Sequence, residues 1–170
     1  MMEVYETKPF FRDRADAGRQ LAQRLTQYGG DSTIVFGIPR GGVPVGVEVA
    51  DALGAAFDII IPRKIGFPDN PEAGFGAVTE DGSIALNEPL VRRSGLTEKE
   101  IMHQVEKVRR EVERRISVFR DKLPPSSVRG KTAIIVDDGL ATGFTMIAAI
   151  KSMQKRGAAT IVATAQSAGR

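Results

Sequence analysis

The run Ile134-Ile135-Val136-Asp137-Asp138-Gly139-Leu140-Ala141-Thr142-Gly143-Phe144-Thr145 sets two adjacent carboxylates between an apolar stretch and a small, hydroxylated turn. Acids leaving a buried strand can hold the hydroxyls of a sugar. Backbone N–H groups of residues 141–145, at the start of a helix, can surround a phosphate, with the hydroxyls of Thr142 and Thr145 as further donors. Acids followed by a phosphate turn suit a sugar phosphate. The plainer alternative is an Asp-rich turn with a threonine helix cap, a common arrangement.

A second segment, Pro39-Arg40-Gly41-Gly42, offers forked guanidinium donors on Arg40 and two glycines that permit close backbone approach, which suits a diphosphate. Taken alone it is equally a surface turn; beside the acidic turn it gains meaning. Other phosphate motifs fit badly. No GxGxxG follows a strand, and Arg129-Gly130-Lys131-Thr132 has only the tail of a P-loop, with Pro125 in the first glycine position. His103 lies off the apolar stripe of its helix and reads as a surface or boundary residue. Phe75, an aromatic between glycines, either covers a ligand or anchors its loop.

The elements that must position these residues alternate between strand and helix. Phe11 to Tyr28 reads as a helix stopped by Gly29 and Gly30, and Thr33 to Ile38 as a strand. After the Pro39–Gly42 turn, Val43 to Leu53 resumes as a helix with Pro44 in its first turn, and Phe57 to Ile61 is a second buried strand. From Arg63 to Asp81 the glycines and prolines are dense enough to predict a long loop, read as a mobile lid over about 66–82. Ser83 to Leu86 is a short strand, and Thr97-Glu98-Lys99-Glu100 fits a capping box opening a long helix. Along it Ile101, Val105, Val108, Val112, Ile116 and Phe119 form the buried stripe, while the mixed-charge opposite face reads as solvated. Thr132 to Val136, the helix Phe144 to Lys155 and the strand Ala159 to Ala165 complete the chain. The pattern predicts a single α/β domain over 1–170 with a mostly parallel sheet. Right-handed crossovers would put the turns after Ile38 and Val136 on the same carboxyl edge.

Composition bounds the chemistry. With 42% apolar and 26% charged residues, 18 glycines and 9 prolines, the chain is neither disordered nor low-complexity. The absence of cysteine excludes disulfides and thiolate metal sites, and one histidine excludes an imidazole cluster. A balance of 24 basic against 21 acidic residues is too mild to predict a nucleic-acid partner. No 18-residue apolar run suggests a membrane span, and Glu3, Glu6 and Lys8 make the start unlike a secretory signal, so the expected location is cytoplasmic.

Residues 134–145 resemble the phosphoribosyl-diphosphate signature of the type I phosphoribosyltransferases: apolar strand, paired acids, Thr-Gly-x-Thr. The whole chain further resembles a less characterised branch of that superfamily through Phe11-Arg12-Asp13-Arg14, Gly37 to Gly42, Gly74-Phe75-Gly76-Ala77-Val78 and Asp137 to Gly143. The resemblance implies a three-layer α/β fold, with five mostly parallel strands and helices on both faces, a flexible loop over the site, and a homodimer. It implies that Asp137 and Asp138 lie near the ribose hydroxyls and Mg²⁺, that Ala141, Thr142, Gly143, Phe144 and Thr145 form the 5-phosphate loop, and that Arg40, Gly41 and Gly42 form the pyrophosphate loop. Arg63 and Lys64 resemble the basic position contacting pyrophosphate, though two bases can simply mark a strand end.

The implied reaction is Mg²⁺-dependent transfer of a 5-phosphoribosyl group from phosphoribosyl diphosphate to a nitrogenous acceptor, releasing pyrophosphate. Asp137, Asp138, Arg40 and Lys64 would carry it. Two other classes of function use the same residues: a non-catalytic module that binds the donor, and a hydrolase of a phosphorylated sugar. Two features depart from the family pattern. Ala141 stands where hypoxanthine-guanine enzymes carry an acidic proton acceptor, and Arg170 ends the chain just after the expected last strand. Acceptor recognition is therefore expected from the N-terminal residues or a partner, or to be missing.

Overall fold

The computed structural model describes residues 2–6, 12–120, 124–139 and 143–165, with backbone alone for 2–6 and 119–120. In chain order the elements are β1 (Met2–Glu6), α1 (Arg14–Arg24), β2 (Thr33–Gly37), α2 (Gly42–Leu53), β3 (Ala56–Ile59), β4 (Arg63–Gly66), β5 (Gly74–Val78), β6 (Ile84–Leu86), α3 (Glu88–Ser94), α4 (Glu98–Arg120), β7 (Thr132–Asp137), α5 (Phe144–Lys155) and β8 (Thr160–Ala165). A 3-10 turn, Thr26–Tyr28, follows α1. The fold is three-layer α/β, a parallel sheet flanked by helices, and the chain divides into two compact units.

The first unit (Met1–Ile60, Pro125–Thr142, Met153–Arg170) holds five strands in the order β1-β8-β7-β2-β3, with every neighbouring pair parallel. Strands buried on both faces read as continuous apolar runs, which is why TIVFG and TAIIVD stand out in the sequence. Val35, Ile134, Val136 and Val162 on one face pack with Leu21 and Leu25 of the α1 region and with Val45, Val49 and Leu53 of α2. Each such aliphatic side chain, fully buried, contributes about 1.5–3 kcal/mol. Ile34, Phe36 and Ile135, facing the other way, are buried as well, and the Arg156 guanidinium lies 5.2 Å from the Phe36 ring centroid.

The second unit (Ile61–Pro124, Gly143–Ser152) is built on the antiparallel sheet β4-β5-β6. This corrects the sequence reading of 63–81 as irregular loop. Lys64 and Ile65 pair with Ala77 and Gly76, and Ile65 and Phe75 are fully buried. Phe75 packs against Phe67 with the rings tilted at 54° and their centroids 5.0 Å apart, so it anchors the hairpin instead of covering a ligand. Ala77 and Ala85 pack against Ala148 and Phe144 of α5. The long helix α4 opens with the predicted capping box: Glu100 N–H donates to Thr97 Oγ1 (3.3 Å) and Thr97 N–H to Glu100 Oε2 (2.8 Å). Of the expected stripe, Val105, Val108 and Val112 are buried, Ile101 and Ile116 are half-buried, and the Phe119 side chain lies outside the described residues; His103 is exposed.

Two boundaries and two elements also differ from expectation. The first helix starts at Arg14, where Asp13 caps it by accepting from Asp16 N–H at 2.8 Å. The third strand of the parallel sheet ends at Ile59, and β1 and α3 are additional elements.

Candidate functional site

Strands β2 and β7 pair in parallel with Gly37 opposite Val136, so the turns that follow them leave the sheet side by side at its carboxyl edge. This is the edge where ligands bind in open α/β sheets. The first turn is tied to the second strand: Ile38 N–H donates to the Val136 carbonyl at 2.9 Å, and Gly42 N–H returns to the Ile38 carbonyl at 2.9 Å. The Pro39–Arg40 peptide is cis, and Arg40 is exposed. Gly42 leads directly into α2, so the helix N-terminus adds its positive dipole end to the turn.

The glycines are there because the acids are. A methyl group added at Gly41 would overlap the carboxylate of Asp138, and one at Gly42 would overlap the Val136 carbonyl and approach Asp137 Cα to 3.0 Å. Thus Arg40, Gly41, Gly42, Asp137 and Asp138 form one constellation within the first unit.

The two acids differ in environment. Asp137 is buried at the end of β7 and accepts from Asp138 N–H at 2.8 Å. Burial first, and the neighbouring Asp138 charge second, push its carboxyl up to about 6, against the pull of the backbone hydrogen bond. Asp138 is half-buried, and its Oδ2 accepts from Arg14 at 3.0 Å. Sequence reasoning did not assign Arg14 a role. The signal lay in Arg12-Asp13-Arg14, where Asp13 is the α1 cap and Arg14, first in the helix, reaches the acid turn.

Arg63 and Lys64 lie on β4 in the second unit and have carboxylate partners there. Arg63 meets Glu111 of α4 at 3.1 Å, and the Lys64 ammonium donates to the Glu72 carbonyl with its carboxylate 3.8 Å away. Gly143, at φ +76°, precedes α5, which Phe144 and Thr145 begin. Ala141 and Thr142 lie outside the described residues.

A family model for the phosphoribosyl transferase domain matches residues 11–170. The chain belongs to that family. Two Mycobacterium tuberculosis proteins, from strains CDC 1551 and H37Rv and each named "putative phosphoribosyl transferase", are 47% identical over 156 residues, which is 89% of this chain and 34% of theirs. The chain therefore spans about a third of the length of the curated relatives it matches. Among solved structures, that of TT1426 from Thermus thermophilus is 35% identical with a TM-score of 0.76, covering 92% of this chain and 74% of that one. A purine phosphoribosyltransferase from Pyrococcus horikoshii, 20% identical over 96% of this chain and 76% of its own with a TM-score of 0.53, shares the fold. Membership of the phosphoribosyl transferase domain family supports transferase chemistry of the phosphoribosyl class in general.

Among the described residues no group of three or more side chains is arranged as a complete metal cage. Mg²⁺ does not need one. It commonly keeps several waters and binds through one or two carboxylates together with substrate phosphates. The hard oxygen donors of Asp137 and Asp138 fit that mode.

Proposed function

We propose that this domain transfers a 5-phosphoribosyl group from phosphoribosyl diphosphate to a nitrogenous acceptor with the help of Mg²⁺, releasing pyrophosphate. The observation that carries the reading is the contact of the acid turn with the arginine-glycine turn. Asp138 lies against Gly41 at the paired ends of β2 and β7, which supports a reading in which one edge receives both the sugar hydroxyls and the diphosphate.

In the reaction the bond from the ribosyl carbon to the diphosphate oxygen breaks, a bond to the acceptor nitrogen forms, the bonding pair leaves with pyrophosphate, and the acceptor's proton passes to solvent. Asp137 and Asp138 would accept hydrogen bonds from the ribose hydroxyls and hold the metal. Arg40 and the backbone around Gly41 and Gly42 would take up negative charge on the departing pyrophosphate. Mg²⁺, when bound, supplies further charge neutralisation on the leaving group. Residues 141–145 would bind the 5-phosphate through N–H groups at the start of α5.

A donor-binding module without transfer is the second reading. It is favoured by Ala141, which removes the acidic proton acceptor that hypoxanthine-guanine enzymes use.

Calorimetry with phosphoribosyl diphosphate, with and without Mg²⁺ and against ribose 5-phosphate, tests the proposal. Mg²⁺-dependent, diphosphate-selective binding is expected. Its absence would overturn the donor site. Selective binding with no pyrophosphate release in an acceptor screen would replace transfer by the second reading.

A further inference from the structure

Arg14 belongs to the same edge as the acid turn, yet no step of the proposed transfer uses it. Its direction is set by its neighbours on α1. The carboxylate of Asp13 is engaged in capping the helix, accepting from Asp16 N–H at 2.8 Å. That of Asp16 accepts from Arg12 N–H at 3.2 Å and Gln20 Nε2 at 3.0 Å, with the Arg12 and Arg19 guanidinium groups within 4.0 Å. The nearby acids of its own helix are thus taken, and Arg14 instead crosses to Asp138 Oδ2 at 3.0 Å. The pair joins residues 124 apart in sequence, and both side chains keep access to solvent.

Asp138 is constrained on its other side by Gly41, whose α-carbon leaves no room for a methyl group beside the carboxylate. Two adjacent carboxylates that share one turn need positive charge, and in the absence of a divalent cation the guanidinium provides it. We propose that Arg14 is a positioning residue, the built-in counter-ion of the acid turn. It holds the Asp138 carboxylate against the Gly41 turn when no cation is present, and a divalent cation binding there competes with it. This inference rests on the reading of Asp137 and Asp138 as a cation site. It adds a control on that site: the guanidinium raises the cation concentration at which the turn is charged, and so favours entry of cation and anionic donor together over cation alone.

The test is Mn²⁺ binding, followed by electron paramagnetic resonance in the absence of any sugar phosphate, on the full chain and on Arg14→Gln, Arg14→Lys, Asp138→Asn and the Arg14→Gln/Asp138→Asn double variant. Arg14→Gln is expected to bind Mn²⁺ about two- to fivefold more tightly, the range that a solvent-exposed ion pair spans. Arg14→Lys should stay nearer the wild type, and in the Asp138→Asn background Arg14→Gln should change nothing. A general loss of structure would instead weaken binding in every variant, and thermal unfolding of the same samples identifies it. Unchanged or weaker Mn²⁺ binding by a folded Arg14→Gln chain overturns the inference, as does an equal gain in the Asp138→Asn background. Mn²⁺ binding that is absent from both the wild type and Arg14→Gln, or unaffected by Asp138→Asn, removes the cation reading itself, and the inference falls with it.

Discussion

The carboxylate of Asp138 rests on the α-carbon of Gly41, joining the turn after β7 to the turn after β2. Gly41 has ordinary helical angles, φ −68° and ψ −34°, so its requirement is steric and not conformational. The obstacle to a side chain is one half-buried carboxylate, which can swing away. At Gly42 the obstacle is the Val136 carbonyl, which cannot move without disturbing β7. Gly42→Ala is therefore expected to cost at least the upper end of the roughly 1–3 kcal/mol typical of overpacking. Gly41→Ala should cost about 1 kcal/mol or less, the scale of an exposed ion pair. Denaturant unfolding of the two variants checks the order, and equal losses would contradict it.

Asp137 gives the site a pH signature. Its carboxyl is pushed up to about 6 from the ordinary 3.8, mainly by burial and then by the Asp138 charge, so on raising the pH the unfolded chain releases this proton first. The group's contribution to stability is full below about pH 4, falls between about 4 and 6, and is gone above that range, a change of roughly 3 kcal/mol at about 1.4 kcal/mol per pH unit. In divalent-free buffer the wild type should lose stability relative to Asp137→Asn as pH rises from 4 to 7. Parallel stability curves would show that the carboxyl is not held up. The same substitution is expected to abolish most transfer activity while leaving the fold intact.

The uneven legibility of the sequence has physical causes. The strands β2 and β7 are buried on both faces and the helices α2 and α5 follow them after short turns, so apolar runs and glycines mark them without ambiguity. The segment β1 (MEVYE) interleaves acids with apolar residues, and its hydrogen bonds come from β8, at the other end of the chain. In β4 and β5 the glycines that suggest a loop serve close packing. A side chain at Gly76 would overlap the Ala85 carbonyl, and one at Gly74 would meet the Lys64 side chain at 2.5 Å. For α3 the marks were present but short: Asn87 accepts from Leu90 N–H at 3.1 Å, Pro89 opens the helix and Gly95 closes it at φ +71°. The juxtaposition at the core of the candidate site, Arg40 through Gly42 beside Asp137 and Asp138, was legible because consecutive residues carry each turn. Arg14 was not, because its partner is set by the packing of α1 and by nothing adjacent in sequence.

Asp81 is the hub of a polar staple in the second unit. Its Oδ1 accepts from Thr79 Oγ1 at 2.6 Å and Ser83 N–H at 3.1 Å, and its Oδ2 from the buried Ser152 Oγ at 3.1 Å, which ties the β5–β6 turn to α5. Burial alone would raise this carboxyl, but the hydrogen bonds from Thr79, Ser83 and Ser152 together hold it below the ordinary 3.8. Its contribution is accordingly present above about pH 4 and lost as the pH falls below that value. Asp81→Asn is expected to destabilise by about 1–3 kcal/mol at neutral pH, and less at pH 3. Ser152→Ala should cost less in the Asp81→Asn background than alone, as hydrogen-bonded neighbours do. Additive losses in a double-mutant cycle of unfolding would break the staple into unrelated contacts.

The two anion turns should be separable by substitution. Gly143 sits at φ +76°, a conformation that costs an L side chain about 1–2 kcal/mol, and among the described residues nothing lies within 4 Å of where its Cβ would stand. Gly143→Ala therefore strains only the backbone entering α5, the segment proposed to hold the 5-phosphate. It should weaken ribose 5-phosphate and phosphoribosyl diphosphate by a similar factor, about tenfold if the full strain is felt on binding. Arg40→Ala acts on the other turn, the one proposed to take the diphosphate, so it should weaken phosphoribosyl diphosphate alone. Calorimetry with both ligands on both variants decides. If Arg40→Ala weakened both ligands equally, Arg40 would belong to the phosphate end of the sugar, and the division of the site into a diphosphate turn after β2 and a phosphate turn before α5 would have to be reversed.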